Sequence, residues 1–328
     1  MSTAQAAWGG PPGVAVIIAT RGRTEALRRA VQSVLENTYA PYRVYIIDQT
    51  PGCEPAFAPG ELAADRVTYV RTEWSGKSRA VNHALAISAE PIIAFTDDDC
   101  TVPPDWLEKG VAALRSAPSA GILFGTFRAT AHNPAREFVP EFVPSRRRLS
   151  TQAWKMKGTL GYGGNMFATR EALAALGGFD EELGPGGRFR TGEDTELTYR
   201  ALRRGVAVLQ DPAVEATHFG GRPLADGSAS QWVGDAYFAL GASYGKHLRR
   251  GDGLAGLVLL REFQLAISIM TRNVLRGRVR ESGARRVLGI IQGAWVGFTS
   301  SRLPVPGAGT AGASSRVRGR VAHAPEHR

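Results

Sequence analysis

Pro91-Ile92-Ile93-Ala94-Phe95-Thr96-Asp97-Asp98-Asp99 is the run on which the reading of this chain turns. A short apolar stretch opened by proline predicts a buried strand, residues 91–96, that surfaces at three adjacent carboxylates. Open α/β sheets bind their ligands outside the carboxyl ends of the strands, where this triplet would lie. Three neighbouring carboxylates repel one another unless a cation stands between them. If the strand continues, Asp97 and Asp99 point the same way and grip a hard divalent ion, Mn2+ or Mg2+, with a diphosphate completing its shell. A solvated acidic turn ahead of the helix start at Pro103-Pro104 is the plainer alternative.

Working outward, the N-terminal half alternates apolar strands with helical patterns, which predicts a mostly parallel sheet with covering helices. Residues 14–19 form a buried-strand run, and Thr24 is expected to cap a helix ending near Glu36. Strands follow over residues 42–47 and 67–70, and Ser78 is expected to open a helix to about Ala89. Asp105 and Glu108 sit in the first turn of the next helix, as acids near a helix N-terminus should. From Gly121 onward the pattern suggests shorter strands with irregular connections, including runs around Val208 and Val214. Arg146-Arg147-Arg148 forms a basic loop before a glycine-rich stretch, residues 158–164. Residues 193–204 read as an amphipathic helix with acids at its start and arginines at its end.

Three further groups carry candidate chemistry. Glu193 and Asp194 open that helix, and paired acids there often do no more than complement the dipole. The loop before them, Gly184-Pro185-Gly186-Gly187-Arg188-Phe189-Arg190-Thr191-Gly192, suits a mobile segment over a charged substrate. A carboxylate behind it can take a proton from an attacking hydroxyl. His218 is either structural or the imidazole that completes a carboxylate metal site. Gly76-Lys77-Ser78 looks like the end of a phosphate loop, but that motif needs glycine where Arg71 stands. Lys77, Arg79 and Asn82 remain contacts for phosphate or ribose at a helix start.

The composition, 43% apolar and 21% charged, is that of a globular protein, and the net charge of +10 favours anionic partners. Two cysteines, Cys53 and Cys100, make neither a disulfide framework nor a zinc pair, so a cytoplasmic setting is expected. Residues 1–12 show no secretory signal and are expected to be flexible. Beyond Ala225 the chain turns helical and basic, with ten Lys or Arg against three acids between Gly245 and Arg286. The apolar run 254–270 is interrupted by Arg261 and Glu262 and reads as a poor membrane span. Leu254, Leu257, Val258, Leu265 and Ile269 recur at helical spacing, flanked by Arg249, Arg250, Arg272, Arg276, Arg278 and Arg280. That pattern fits either a helix packed on the catalytic domain or one resting on an anionic cytoplasmic leaflet. Residues 302–328 are too poor in apolar side chains to bury a core.

Taken in order, these pieces resemble the family 2 glycosyltransferases, an inverting family with the GT-A fold, a Rossmann-like mixed sheet. The similarity runs through Val16 to Arg23, Ile46 to Thr50, Gly76 to Asn82, Phe95 to Asp99, Gly163 to Met166, Leu176 to Glu181, Gly192 to Leu197 and Ala213 to His218. The resemblance implies a catalytic domain over residues 13–224, with a helical extension over residues 225–301. It implies transfer of a sugar from a UDP-, dTDP- or GDP-linked donor to an acceptor hydroxyl, lipid-linked or not, in cell-envelope or secondary-metabolite glycosylation. Asp194, or its neighbour Glu193, would be the general base. Asp97, Asp99 and His218 would hold the metal. Thr20, Arg21, Asp48, Lys77, Arg79, Asn82, Asp97, Asp98 and Arg190 would meet the nucleotide sugar, with Gly164 and Asn165 on the acceptor side. Gln49 departs from the family, where many members carry a second acid. Two rival readings are a sugar-phosphate nucleotidyltransferase and a non-catalytic basic module. The first lacks its glycine-rich signature after the opening strand, and the second shows no zinc-finger or RNA-binding pattern for nucleic acid.

Overall fold

The computed structural model describes residues 8–52, 54–58, 60–156, 158–275 and 283–300. Cys53, Arg276, Arg278, Arg280, the first seven residues and the tail from residue 301 lie outside them. Four parallel strands form the N-terminal part of the sheet: β1 (Val14–Thr20), β2 (Tyr42–Asp48), β3 (Val67–Arg71) and β4 (Ile92–Asp97). Helices α1 (Thr24–Leu35) and α2 (Lys77–Ile87) make two of the crossovers. Thr24 is the first residue of α1 and not its cap: Arg23 holds that position, and no side chain caps the helix.

The second half extends the same sheet. After β5 (Cys100–Thr101) and α3 (Trp106–Arg115) come β6 (Ala120–Ala129), β7 (Glu137–Phe138) and β8 (Arg148–Ser150). Then follow β9 (Asn165–Thr169), α4 (Arg170–Leu176), α5 (Glu193–Arg203), β10 (Ala207–His218) and β11 (Arg222–Pro223). The sheet order is β3-β2-β1-β4-β9-β6-β10-β5, with β8 also on β10, while β7 and β11 pair separately. Inserting β9 antiparallel between β4 and β6 makes the sheet mixed. The strands after Gly121 are not all short: β6 has 10 residues and β10 has 12. The two runs expected around Val208 and Val214 are one strand, since β10 continues through Asp211-Pro212 with a register shift against β6.

Both faces of the sheet are covered, which is why β1 is apolar at almost every position. Val14, Val16 and Ile18 pack with Leu27 and Val31 of α1 and Trp106 of α3. Ala15 and Ile17 face the other way, toward Ala80 and Ala84 of α2 and Leu197 of α5. That second core includes Tyr244, Ala255 and Val258 from the C-terminal helices α6 (Ser228–Arg249) and α7 (Gly253–Leu275). The last helix, α8 (Gly283–Thr299), lies so close to α6 that a Cβ on Gly293 would stand 2.0 Å from the Phe238 carbonyl oxygen.

Helix α7 is long and apolar enough to cross a membrane, by length and composition, and most of its apolar stretch is not buried in the protein. The expectation of a poor span rested on Arg261 and Glu262, and both are engaged with the protein. Glu262 is buried and accepts the Gly158 N–H, while Arg261 donates to the Trp154 carbonyl.

Candidate active site

The carboxyl ends of β1, β2 and β4 come together: Thr20 is in register with Asp48, and Ala19 with Asp97. Asp97 ends β4, and Asp98 and Asp99 form a turn, so strand alternation does not place these side chains. Asp97, Asp99 and Cys100 nonetheless offer ligand atoms within 4.8 Å of one another. Asp98 is buried and spent on structure, accepting from Thr20 Oγ1 at 2.7 Å and from Arg23 at 3.0 Å. It anchors the loop after β1. Burial raises its pKa against the pull of Arg23 and Thr20.

His218 reaches the cluster from the end of β10, its Nε2 3.6 Å from Asp99 Oδ1. Its ring stacks on Phe127 at 4.7 Å, and Nδ1 lies 3.2 Å from the Pro140 carbonyl. A neutral imidazole has one N–H; given to that carbonyl, it leaves the Nε2 lone pair facing a carboxylate. A cation between the two satisfies both. With no cation between them, burial works against the Asp99 charge, but an Nε2–H of His218 turned to the carboxylate, with Arg23 and Lys77, holds its pKa down at about 2. The close approach depends on Gly220, where a Cβ would lie 2.5 Å from Asp99 Oδ2 and 2.7 Å from His218 Nε2. Two carboxylates and an imidazole suit a Mn2+-like ion. Cys100 lies buried beside them, and burial pushes its thiol pKa far up.

Lys77, the first residue of α2, bridges this cluster to the second acid pair. Its ammonium is 2.5 Å from Asp97 and 3.4 Å from Glu193. Asp194 is buried beside them and accepts the Gly163 N–H at 3.1 Å and the Thr195 N–H at 2.6 Å. Burial first, and then the charge of Glu193, lift its pKa to about 7, outweighing Lys77 and the two amides. Helix α5 (Glu193–Arg203) carries the expected acids in its first turn and arginines in its last, but several of these charges are buried. Glu196 is buried and paired with Arg200 at 2.7 Å and with His247 of α6 at 3.0 Å. Arg200 in turn donates to the carbonyls of Leu176 and Gly178.

Other expected contacts are distributed differently. Gly164 borders the metal cluster, since a Cβ there would be 2.9 Å from Asp97 Oδ2. Asn165 ties strands and helix together in the core. It is fully buried, accepts from Trp106 Nε1 and donates to the carbonyls of Thr126 and Val214. Asp48 is buried at the end of β2 and accepts from Thr50 N and Tyr69 Oη. Thr20 is turned to Asp98, and Arg21 lies exposed in the turn after β1. The Arg79 guanidinium sits 4.5 Å over the Trp74 ring, and Asn82 clasps Phe179 and Glu181 through its amide. Arg190, at a left-handed φ of 64°, pairs with Asp235 of α6. Two unexpected residues join the site: Arg23, which bonds both Asp98 and Asp99, and Tyr162, packed on Phe127 at 5.4 Å. The arginine directly before α1 was the available signal for the first.

The mixed sheet and its helices form a GT-A type fold. Among solved structures, a mannosyltransferase from Pyrobaculum calidifontis in complex with GDP-Man and Mn2+ matches with a TM-score of 0.57 and 16% identity, over 88% of each chain. The model of glycosyl transferase family 2 matches residues 15–177, and over that span the chain belongs to this family. A glucosyl-dolichyl phosphate glucuronosyltransferase of Haloferax volcanii is 27% identical, over 52% of this chain and 57% of its own. Glycosyltransferase AglE of the same organism is 26% identical, over 60% of this chain and 64% of its own. Succinoglycan biosynthesis protein ExoM of Rhizobium meliloti is 30% identical, over 56% of each chain. The chain thus spans less than two thirds of the length of these relatives.

Proposed function

We propose that this protein is an inverting, metal-dependent glycosyltransferase that moves a hexose from a nucleoside diphosphate, UDP-, dTDP- or GDP-linked, to an acceptor hydroxyl. The observation that carries the reading is the bridge by Lys77 from Asp97 to Glu193, beside the buried Asp194 with its pKa near 7. A carboxylate with that pKa is half ionised near neutrality and suited to general-base work. The acceptor hydroxyl gives its proton to Asp194 as its oxygen attacks the anomeric carbon. The bond from that carbon to the diphosphate breaks, and its electron pair leaves with the nucleoside diphosphate. Asp97, Asp99 and His218 would hold the divalent ion, which when bound stabilises the charge on the departing diphosphate. Asp48 and Thr20 line the nucleoside side. Arg190 reaches the donor only by leaving Asp235, whereas Arg79 is stacked on Trp74 with its edge free among the described residues.

The acceptor reading draws on the C-terminal helices. Leu288, Ile291, Trp295 and Phe298 are exposed along one face of α8, and Leu257 and Leu260 are exposed on α7. Arg285 and Arg286 open α8, and Arg249 and Arg250 close α6. We propose that this surface rests on an anionic membrane, on its cytoplasmic side, and that the acceptor is lipid-linked. The name of the Haloferax glucuronosyltransferase, which includes a dolichyl phosphate, supports that reading.

The test is thermal stabilisation of the full chain by UDP-, dTDP- and GDP-sugars, with Mn2+ and with EDTA. One nucleotide sugar is expected to raise the melting temperature in Mn2+ only. No stabilisation by any of them, or equal stabilisation in EDTA, would contradict the proposal.

A further inference from the structure

We infer that Arg222 binds the donor's diphosphate and is a third cation of the active site, beside Arg23 and Lys77. The inference rests on the proposed nucleoside-diphosphate donor. After His218 the chain passes closely over the metal cluster, with the Phe219 N–H donating to the Asp99 carbonyl at 3.0 Å and Gly220 against the Asp99 carboxylate. Two residues on, the pairing of β11 with β7 fixes Arg222 opposite Phe138. Its guanidinium lies 5.2 Å over the Trp232 ring of α6, and Trp232 packs on Phe138 at 5.3 Å. Stacking holds the planar group by its face and leaves the N–H fork at its edge for a ligand.

The fork is not satisfied by the protein. Among the described residues Arg222 Nη1 is buried with no hydrogen-bond partner. Arg23 and Lys77 differ in this respect, each held by two carboxylates. The charged and polar groups that act on Arg222 are Asp99, Arg23 and Tyr162, all at the site. A buried cationic donor without an acceptor is costly and marks a missing partner. Of the proposed reaction's components the nucleoside and the sugar are neutral, whereas the diphosphate offers anionic oxygens that match a guanidinium fork.

The test uses the full-length protein in Mn2+, titrated with UDP, GDP, dTDP and their nucleosides, as wild type, Arg222→Met and Arg222→Lys. Methionine keeps an apolar stem against Trp232, and lysine keeps the charge but not the fork. Affinity for the diphosphate that wild type binds is expected to fall at least tenfold in Arg222→Met and severalfold in Arg222→Lys. Affinity for the matching nucleoside should stay as in wild type. Wild-type diphosphate affinity in either variant would overturn the inference, as would equal loss of nucleoside and diphosphate, which marks a structural role. If Arg222→Met does not fold, Arg222→Lys decides alone. Failure of wild type to bind any of the three diphosphates would remove the donor reading itself.

Discussion

Asp194 bears two demands that pull in opposite directions. Burial raises its pKa from 3.8 to about 7, so its ionised form, the one that accepts a proton, is the form the fold disfavours. The folded state therefore holds a proton that the unfolded chain has released, and this group's effect on stability worsens as pH rises from about 4 to about 7. Activity runs the other way, and kcat/KM is expected to fall with acid through an apparent pKa near 7 that belongs to the Glu193–Asp194 pair. Asp194→Asn should lower kcat by about 10² to 10⁴-fold while donor affinity survives. At pH 8 the same variant should melt no lower than wild type, because a neutral amide removes the buried charge. A dead Glu193→Gln beside an active Asp194→Asn would reverse the assignment. These acids were legible as a pair, and Asp97 and Asp99 as a couple. The structural ties of Asn165 were not legible, because its three partners lie 39 to 59 residues away. Arg222 left no sequence signal, since an unmet N–H is visible only once its surroundings are known.

At the scale of elements, the loop that precedes Asp194 is built between two helices. Ser78 at the start of α2 donates to the Leu183 carbonyl, and Lys77 N donates to Pro185. From the other side, Lys246 of α6 is 1% exposed and its ammonium bonds Asp180 and Glu182, the latter at 2.7 Å. Ser300 adds a bond to Glu182 at 2.8 Å. Lys246→Met leaves two acids without their buried cation and should cost about 3–5 kcal/mol in urea unfolding. A loss below about 1 kcal/mol would show that water reaches the pair. The strands were readable because both faces of the sheet are covered and the runs are continuously apolar. Helix α5 was legible with its acids first and arginines last, but periodicity does not show that Glu196 meets Arg200 and His247 inside the protein. The passage of β10 through Asp211-Pro212 was hidden for a similar reason: pairing with β6 on both sides of the shift overrides a local turn signal.

For the whole molecule, the net charge of +10 and the exposed apolar face of α8 would act together at the proposed anionic surface. Each basic residue near such a surface contributes about 1 kcal/mol, screened by salt, so two or three contacts support reversible attachment. The full chain is expected to sediment with vesicles containing anionic lipid at low salt and to be released at high salt. Replacing Ile291 and Trp295 with glutamate should abolish the attachment without changing Mn2+-dependent nucleotide binding. Sedimentation equal to wild type would leave the helices as packing alone. The central claim, sugar transfer at the Asp97–Asp99–Asp194 centre, is tested most directly with a nucleotide sugar labelled separately in its sugar and its base, incubated with membrane lipid extract. The account predicts that in Mn2+ the sugar label alone enters the lipid fraction, with an equal amount of nucleoside diphosphate released, and that EDTA stops both. Incorporation of the base label, or an undiminished rate in EDTA, would contradict it.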